Sequence, residues 1–267
     1  MTSEAEVLEQ AWQKWLDAIP KRVSRRRFGS TETPVRLLEG LEAVCEGFRP
    51  FGSARAMLVR EVPDGLFRGI VGAYGSIRGA RHCLLMVGHG DAAAEVGYVG
   101  EAAVLEATAL GLGTCWVGGL FDRATAAQLV VLAPGERIFA ISPVGRVPEV
   151  KRLEERLMSA VARARTRRPL EVVARGAGSW PGWARSGAEA ARLAPSAVNR
   201  QPWRFSKEGH SVLVAQDSEK DTYRIPKRLD CGIAMLHFEL GARGAGMAGE
   251  WRLEPSPKTA SFHPGRR

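Results

Sequence analysis

The chain lacks any run approaching the ~18 consecutive apolar residues that a membrane-spanning helix requires. Its first twenty residues alternate Glu, Gln, Lys and Asp with the apolar positions, so neither a membrane protein nor a signal peptide is expected. Cysteine is scarce: Cys45, Cys83, Cys115 and Cys231 lie far apart with no Cys-x-x-Cys pair, and Cys83 and Cys115 sit inside apolar runs. They read as buried free thiols of a protein in the reducing cytoplasm, not as a disulfide framework. There is no Gly-x-Ser-x-Gly nucleophile turn, no Gly-x-x-x-x-Gly-Lys-Ser/Thr phosphate loop and no His/Cys spacing suited to a metal. The Gly-rich stretch from Gly69 to Gly79 never shows Gly-x-Gly-x-x-Gly after a strand, which argues against a Rossmann domain. The histidines, His82, His89, His210, His237 and His263, are scattered and read as structural or exposed.

What remains is ordinary globular composition: 267 residues, 45% hydrophobic and 25% charged, enough for one large domain or two small ones. A net charge of +9 favours anionic partners, which include nucleic acids, acidic surfaces and phosphorylated cofactors. The charge is clustered: Lys21 to Arg27 holds five basic residues in seven, and Arg163 to Arg168 holds four in six. No basic face with interleaved aromatics or reader motif accompanies it, so no nucleic-acid partner is expected.

Apolar spacing predicts helices from Ser3 to Asp17, opened by the Ser3/Glu6 capping box, and from Thr33 to Gly47, with Pro34 in its first turn. Short apolar runs at Ala56 to Val59, Cys83 to Val87, Thr114 to Val117 and Arg137 to Ile141 read as strands. Gly97 to Leu110 reads as a helix crowded with Ala and Gly, as suits close internal packing. Asp230 to Arg243 is a similar helix: Glu239, Ala242, Gly244 and Gly246 match Glu106, Ala109, Gly111 and Gly113, each 133 residues apart, a candidate internal repeat. Pro255 to Arg267 is rich in Pro, Ser, Lys and Arg and reads as a loosely attached tail.

The most informative segment runs from Ala194 through Pro195-Ser196-Ala197-Val198-Asn199-Arg200-Gln201-Pro202-Trp203 to Phe205. Two prolines stiffen it, and Ser196 and Asn199 place small hydrogen-bonding groups on a bend that leads into a strand. On local chemistry alone this is either a ligand-facing bend or a plain connecting loop.

Pro-Ser-Ala-x-Asn-x-Gln-Pro-Trp-x-Phe resembles the flavin-contacting signature of the nitroreductases. Arg22-Val23-Ser24-Arg25-Arg26-Arg27-Phe28 is similar to that family's Arg-Arg-Ser-x-Arg-x-Phe, departing at Val23. Gly111-Leu112-Gly113-Thr114 running through Trp116 to Gly118-Gly119, and Gly145-Arg146-Val147-Pro148, match two further family patterns. The order differs from the usual member, in which the Pro-Ser motif follows the Arg motif by some thirty residues; here Phe51-Gly52-Ser53-Ala54 holds that place.

Because the ordinary family member is a homodimer with FMN at its subunit interface, the resemblance implies a duplicated, fused chain of the putative TM nitroreductase type. The implied fold is α+β, with two related halves, each an antiparallel or mixed sheet with packed helices, about an internal pseudo-two-fold. The halves would span 1–150 and 151–254 as one intertwined unit, followed by the tail 255–267. One composite FMN site is implied. Arg22 and Arg146 would clamp the phosphate, Ser24 would bond the phosphate or ribityl chain, and Arg26 would face the pyrimidine edge. Gly118 and Gly119 would approach flavin N5, and Pro195, Ser196, Ala197 and Asn199 would close over the ring from the other half. The mirror site, Arg165, Thr166 and Arg168 with Phe51 to Ala54, would be empty. The implied activity is ping-pong hydride transfer from NAD(P)H through FMN to an electron-poor small-molecule acceptor, with no catalytic side chain and no metal, by a monomer. The alternative is a scaffold that keeps the fold without turnover.

Overall fold

A computed structural model describes residues 4–67, 76–148 and 166–265. Ser3 of the capping box, the glycines Gly69, Gly72 and Gly75, and Arg163 and Arg165 of the second basic cluster lie outside the described residues.

The chain opens with α1 (Glu4–Ala18) and α2 (Val35–Gly47), then β1 (Ala54–Val59), β2 (His82–His89), α3 (Ala93–Ala109), β3 (Gly113–Thr114), the short α4 (Arg123–Ala127) and β4 (Glu136–Gly145). After α5 (Leu170–Val173), the order returns: α6 (Gly182–Ala191), β5 (Trp203–Glu208), β6 (Ser211–Gln216), α7 (Lys227–Gly244), β7 (Gly249–Leu253) and β8 (Lys258–Pro264). The first sheet runs β1-β2-β4-β3 and the second β5-β6-β8-β7, all pairs antiparallel. The register slips once in each central pair, between Met86 and Val87 and between Val214 and Ala215. This is the α+β fold of two related halves expected from the sequence.

The two long helices cross at the centre. Residues 93–107 of α3 are buried throughout, as are most of 227–242 in α7, so neither helix has a solvent face and amphipathic periodicity is weak in both. Close approach needs glycine: a Cβ on Gly97 would overlap the Leu229 carbonyl, and one on Gly232 would overlap the Ala94 carbonyl. The two contacts are one pair exchanged between the helices, as a two-fold relation demands.

That exchange corrects the repeat. Both helices end in the same αL glycine motif: Leu112 and Gly111 donate to the carbonyls of Ala107 and Thr108, and Met247 and Gly246 to those of Ala242 and Arg243. The glycines at positive φ are Gly111 (77°) and Gly246 (78°). Gly246 therefore corresponds to Gly111 and not to Gly113, and the sequence match was two residues out of register, because matching glycine letters does not distinguish a helix-ending glycine from a packing one.

Two other expectations change. The Thr114 to Val117 run is strand only over Gly113–Thr114, with one further bridge from Val117 to Ile141. The proposed tail is instead strand β8, in the middle of its sheet between β6 and β7; Ala260 and Phe262 are fully buried on alternate positions, which composition over a short window averages away. All four cysteines are free and buried, and burial pushes the thiols of Cys45 and Cys231 up to about 12.

Candidate functional site

A cavity of about 940 Å³ lies where the halves meet. From the first half it takes the segment Arg22, Ser24 and Arg26, and the stretch Cys115 to Leu120 that follows β3. From the second it takes Thr166 to Arg168, Pro195 to Asn199 with Gln201, Tyr223 to Ile225, and Leu229, Asp230 and Ile233 on one face of α7.

The first basic segment is threaded along the β3 edge: Ser24 bridges Thr114, and the Arg25 N–H donates to the Thr114 carbonyl at 2.7 Å. Gly113 makes room for it, since a Cβ there would strike Val147 and the Arg25 side chain. Arg22 is the inward member. Its side chain is 7% exposed and its buried Nε has no hydrogen-bond partner among the described residues; the nearest carboxylate oxygen, of Glu101, is 3.9 Å away. That Glu101 carboxylate is fully buried and already receives the Trp116 Nε1–H at 2.7 Å and His237 Nε2 at 2.9 Å, joining the two central helices beneath the cavity wall.

The bend from Ser196 to Gln201 is strained. Val198, Asn199 and Gln201 have φ of 48°, 57° and 49°, and a β-branched residue in this region is rare. The bend persists because its surroundings over-determine it. The Ala197 N–H donates to Asp230 Oδ1 at 3.1 Å, Arg200 Nε to Asp230 Oδ2 at 2.6 Å, and the Gln201 N–H to Ser196 Oγ at 2.9 Å. Asp230 is wholly buried, and burial pushes its carboxyl up to about 6 against the opposing pull of Arg200.

The second basic cluster joins the same cavity. Asn199 Nδ2 and Gln201 Nε2 donate to the Thr166 carbonyl at 2.9 and 3.1 Å, and Gln201 Oε1 receives the Arg168 N–H at 2.8 Å. Arg167 donates to Asn199 Oδ1 and the Leu193 carbonyl, both at 3.2 Å. Burial, then the charges of Arg22 and Arg192, lower the Arg167 guanidinium to about 10. The expected mirror arrangement is therefore not assembled. Thr166 and Arg168 stand beside Ser196, whereas the Phe51 to Ala54 turn packs elsewhere, Phe51 edge-on to Tyr98 and Ser53 Oγ on Glu95 at 3.2 Å.

Nine of the sequence-named residues line this one cavity: Arg22, Ser24, Arg26, Gly118, Gly119, Pro195, Ser196, Ala197 and Asn199. Arg146 does not. Its side chain is exposed and outside the lining, while its carbonyl receives the Gly29 N–H at 2.8 Å, beside the Arg22 to Phe28 segment. Asn199 lines the cavity, but its amide is spent on Thr166, Arg167 and Gln201, so it shapes the bend. Sequence reasoning missed Thr166 to Arg168 as members of this site, and it missed Arg200, Tyr223, Arg224 and Asp230 altogether. The Asn-x-Gln spacing was the available signal for Arg200; the others come close only through the tertiary fold. Among the described residues no group of three or more His, Cys, Asp or Glu is arranged to hold a metal, and no helix is long and apolar enough to cross a membrane.

The family model described as Putative TM nitroreductase matches residues 14–242. The structure is similar to that of a putative nitroreductase from Thermotoga maritima MSB8, with a TM-score of 0.62 at 22% identity over 93% of this chain and 92% of that one. A nitroreductase family protein from Clostridium difficile 630 aligns with a TM-score of 0.41 at 20% identity, over 60% of this chain and 95% of its own. A nitroreductase with bound FMN from Bacteroides fragilis NCTC 9343 aligns at 0.40 and 16%, over 52% and 91%. No curated protein matches the chain.

Proposed function

The chain belongs to the putative TM nitroreductase family, a family of oxidoreductases, and from that premise we propose that it is an FMN-dependent NAD(P)H oxidoreductase acting on an electron-poor acceptor at the cavity between its halves. The observation that carries this reading is the buried Arg22 guanidinium. Its Nε has no hydrogen-bond partner among the described residues, in a cavity that also takes Arg26, Arg167 and Arg168. Among the described residues the one lining carboxylate, Asp230, is committed to Arg200. A cationic, partly desolvated pocket of this kind suits a dianionic phosphate, which takes bidentate guanidinium bonds. Beside it, Val117, Gly118, Leu229 and Ile233 offer the apolar faces that a flat tricyclic ring needs.

FMN, when bound, would supply two-electron transfer between NAD(P)H and the acceptor. The chain's residues bind and orient. Arg22 and Arg167 would hold the phosphate in place of the Arg22 and Arg146 pair expected from sequence, Ser24 would bond the phosphate or ribityl chain, and the positive charge of Arg26 would favour a reduced, anionic ring. Ser196 Oγ accepts from Gln201 and keeps its own proton to donate, while Pro195 and Ala197 bring the bend against the ring, with Asn199 bracing it. Gly118 and Gly119 let the Tyr223 to Ile225 segment of the other half lie against their backbone, since a Cβ on Gly118 would press on Ile225 at 3.0 Å and one on Gly119 on the Tyr223 carbonyl at 3.2 Å. Since both contributing halves belong to one chain, the working form is a monomer.

The test is titration with FMN, followed by quenching of flavin fluorescence. The protein takes up one FMN, and Arg22→Ala weakens binding roughly 10- to 100-fold, the worth of a charge-assisted hydrogen bond. A protein with no affinity for FMN overturns the reading.

A further inference from the structure

Seven large apolar side chains are exposed among the described residues, and three of them, Leu120, Val198 and Tyr223, line this one cavity. Tyr223 is 64% exposed, and the adjacent Arg224, also exposed, lines the cavity and has no side-chain partner among the described residues. The two form the centre of a tight turn in which the Ile225 N–H donates to the Thr222 carbonyl at 3.2 Å. Their φ values are 58° and 57°, the pattern of a type I′ turn, where Asn-Gly is favoured and Tyr-Arg is strained. The turn is nonetheless fixed from both sides. Arg200 donates to the Thr222 hydroxyl at 2.8 Å and to the Ile225 carbonyl at 2.9 Å, and Gly118 and Gly119 of the other half lie against it. An unfavourable pair of residues, held rigidly with both side chains in solvent at a cavity mouth, points to use by a ligand and not to folding.

We infer that this turn recognises the electron acceptor, and that the acceptor class is a planar aromatic ring carrying an anionic substituent such as a carboxylate. Tyr223 offers a ring for offset or edge contact, Leu120 and Val198 supply the apolar rim, and Arg224 takes the acid group as a bidentate partner. Among the described residues no free carboxylate lines the cavity to repel it, because Asp230 is held by Arg200. The inference rests on the flavin reading for what the bound molecule receives, and not for its binding.

The experiment is calorimetric titration of the full chain, with and without added FMN, using 4-nitrobenzoate, its neutral counterpart 4-nitrobenzyl alcohol, and adenosine 2′,5′-bisphosphate. The carboxylate binds about two- to fivefold more tightly than the alcohol, the worth of one exposed charge pair. Arg224→Gln removes that difference and leaves the alcohol unchanged. The double variant Tyr223→Asn/Arg224→Gly carries the pair preferred in this turn. It raises Tm by about 2–4 °C while losing both aromatic ligands, whereas a merely structural role for Tyr223 and Arg224 predicts a lower Tm. Equal affinities in the unaltered protein, discrimination that survives Arg224→Gln, or an Arg224 effect confined to the bisphosphate overturns the inference, the last by assigning the turn to the electron donor. Discrimination in a protein that takes up no FMN supports the inference while removing the flavin reading; FMN uptake without discrimination does the reverse.

Discussion

Phe51 to Ala54 leads into β1 and Ser196 to Pro202 leads into β5, each set over the first turn of its half's long helix, where Glu95 receives the Ser53 hydroxyl and Asp230 receives the Ala197 N–H. From this shared start the two segments diverge. The first half's turn has no non-glycine residue at positive φ and spends its half-buried aromatic ring on Tyr98, so it packs against the core. The second half's bend holds three such residues and one face of a cavity. The two halves hold corresponding positions: strain is kept at the one that lines the cavity, and the other relaxes into packing.

The helix crossing, by contrast, has stayed symmetric, and it should answer symmetrically. Gly97→Ala and Gly232→Ala each drive a methyl group into a backbone carbonyl of the opposite helix, where no side chain exists to move aside. Each is expected to cost about 3 kcal/mol or more in chemical denaturation, at the upper end of overpacking effects. A large loss at one glycine and tolerance at the other would show that the crossing is not shared in the way the two exchanged contacts require.

The carboxylate beneath the strained bend gives the next effect. Asp230 rises from 3.8 to about 6 on burial, so the folded chain binds this proton more tightly than the unfolded chain does. Its contribution is therefore complete below about pH 4 and is lost as pH rises to about 6, a change of about 3 kcal/mol. Asp230→Asn should flatten that part of the stability profile between pH 4 and 7. An unaltered slope would mean that Arg200 fully compensates the buried charge, and the bend would then rest on an ion pair and not on a strained, partly protonated support.

Much of this was legible in the sequence. The α+β fold in two related halves follows from motifs that are short, local and rigid, and nine of the ten residues expected to contact a cofactor line one cavity. What was not legible depends on distance in the chain. Strand β8 hides two alternating core residues, Ala260 and Phe262, within a polar window, and a charged composition masks a buried central strand. Thr166 and Arg168 belong, on sequence, with Arg165 to a mirror site. The side chains of Asn199 and Gln201, reaching back more than thirty residues, help to bring them to the same cavity. Arg200 was an unspecified position in the motif, yet its guanidinium joins the bend, the 222–225 turn and α7.

The smallest effect is also the one that divides the two segments most directly, because it predicts opposite signs at corresponding places. Val198 has φ of 48° and is 37% exposed, so Val198→Gly relieves backbone strain and gives up little buried apolar surface. Stability should rise by about 1 kcal/mol. FMN affinity should fall severalfold, since the bend is then no longer held in one conformation before the cofactor arrives. Phe51→Gly removes a ring packed edge-on to Tyr98 at 5.4 Å, with no strain to relieve, and should lower stability by about 2 kcal/mol while leaving FMN affinity unchanged. Denaturation and flavin titration on the two variants decide the matter: losses of stability in both would mean that the bend before β5 is ordinary packing, and that its strain serves no ligand.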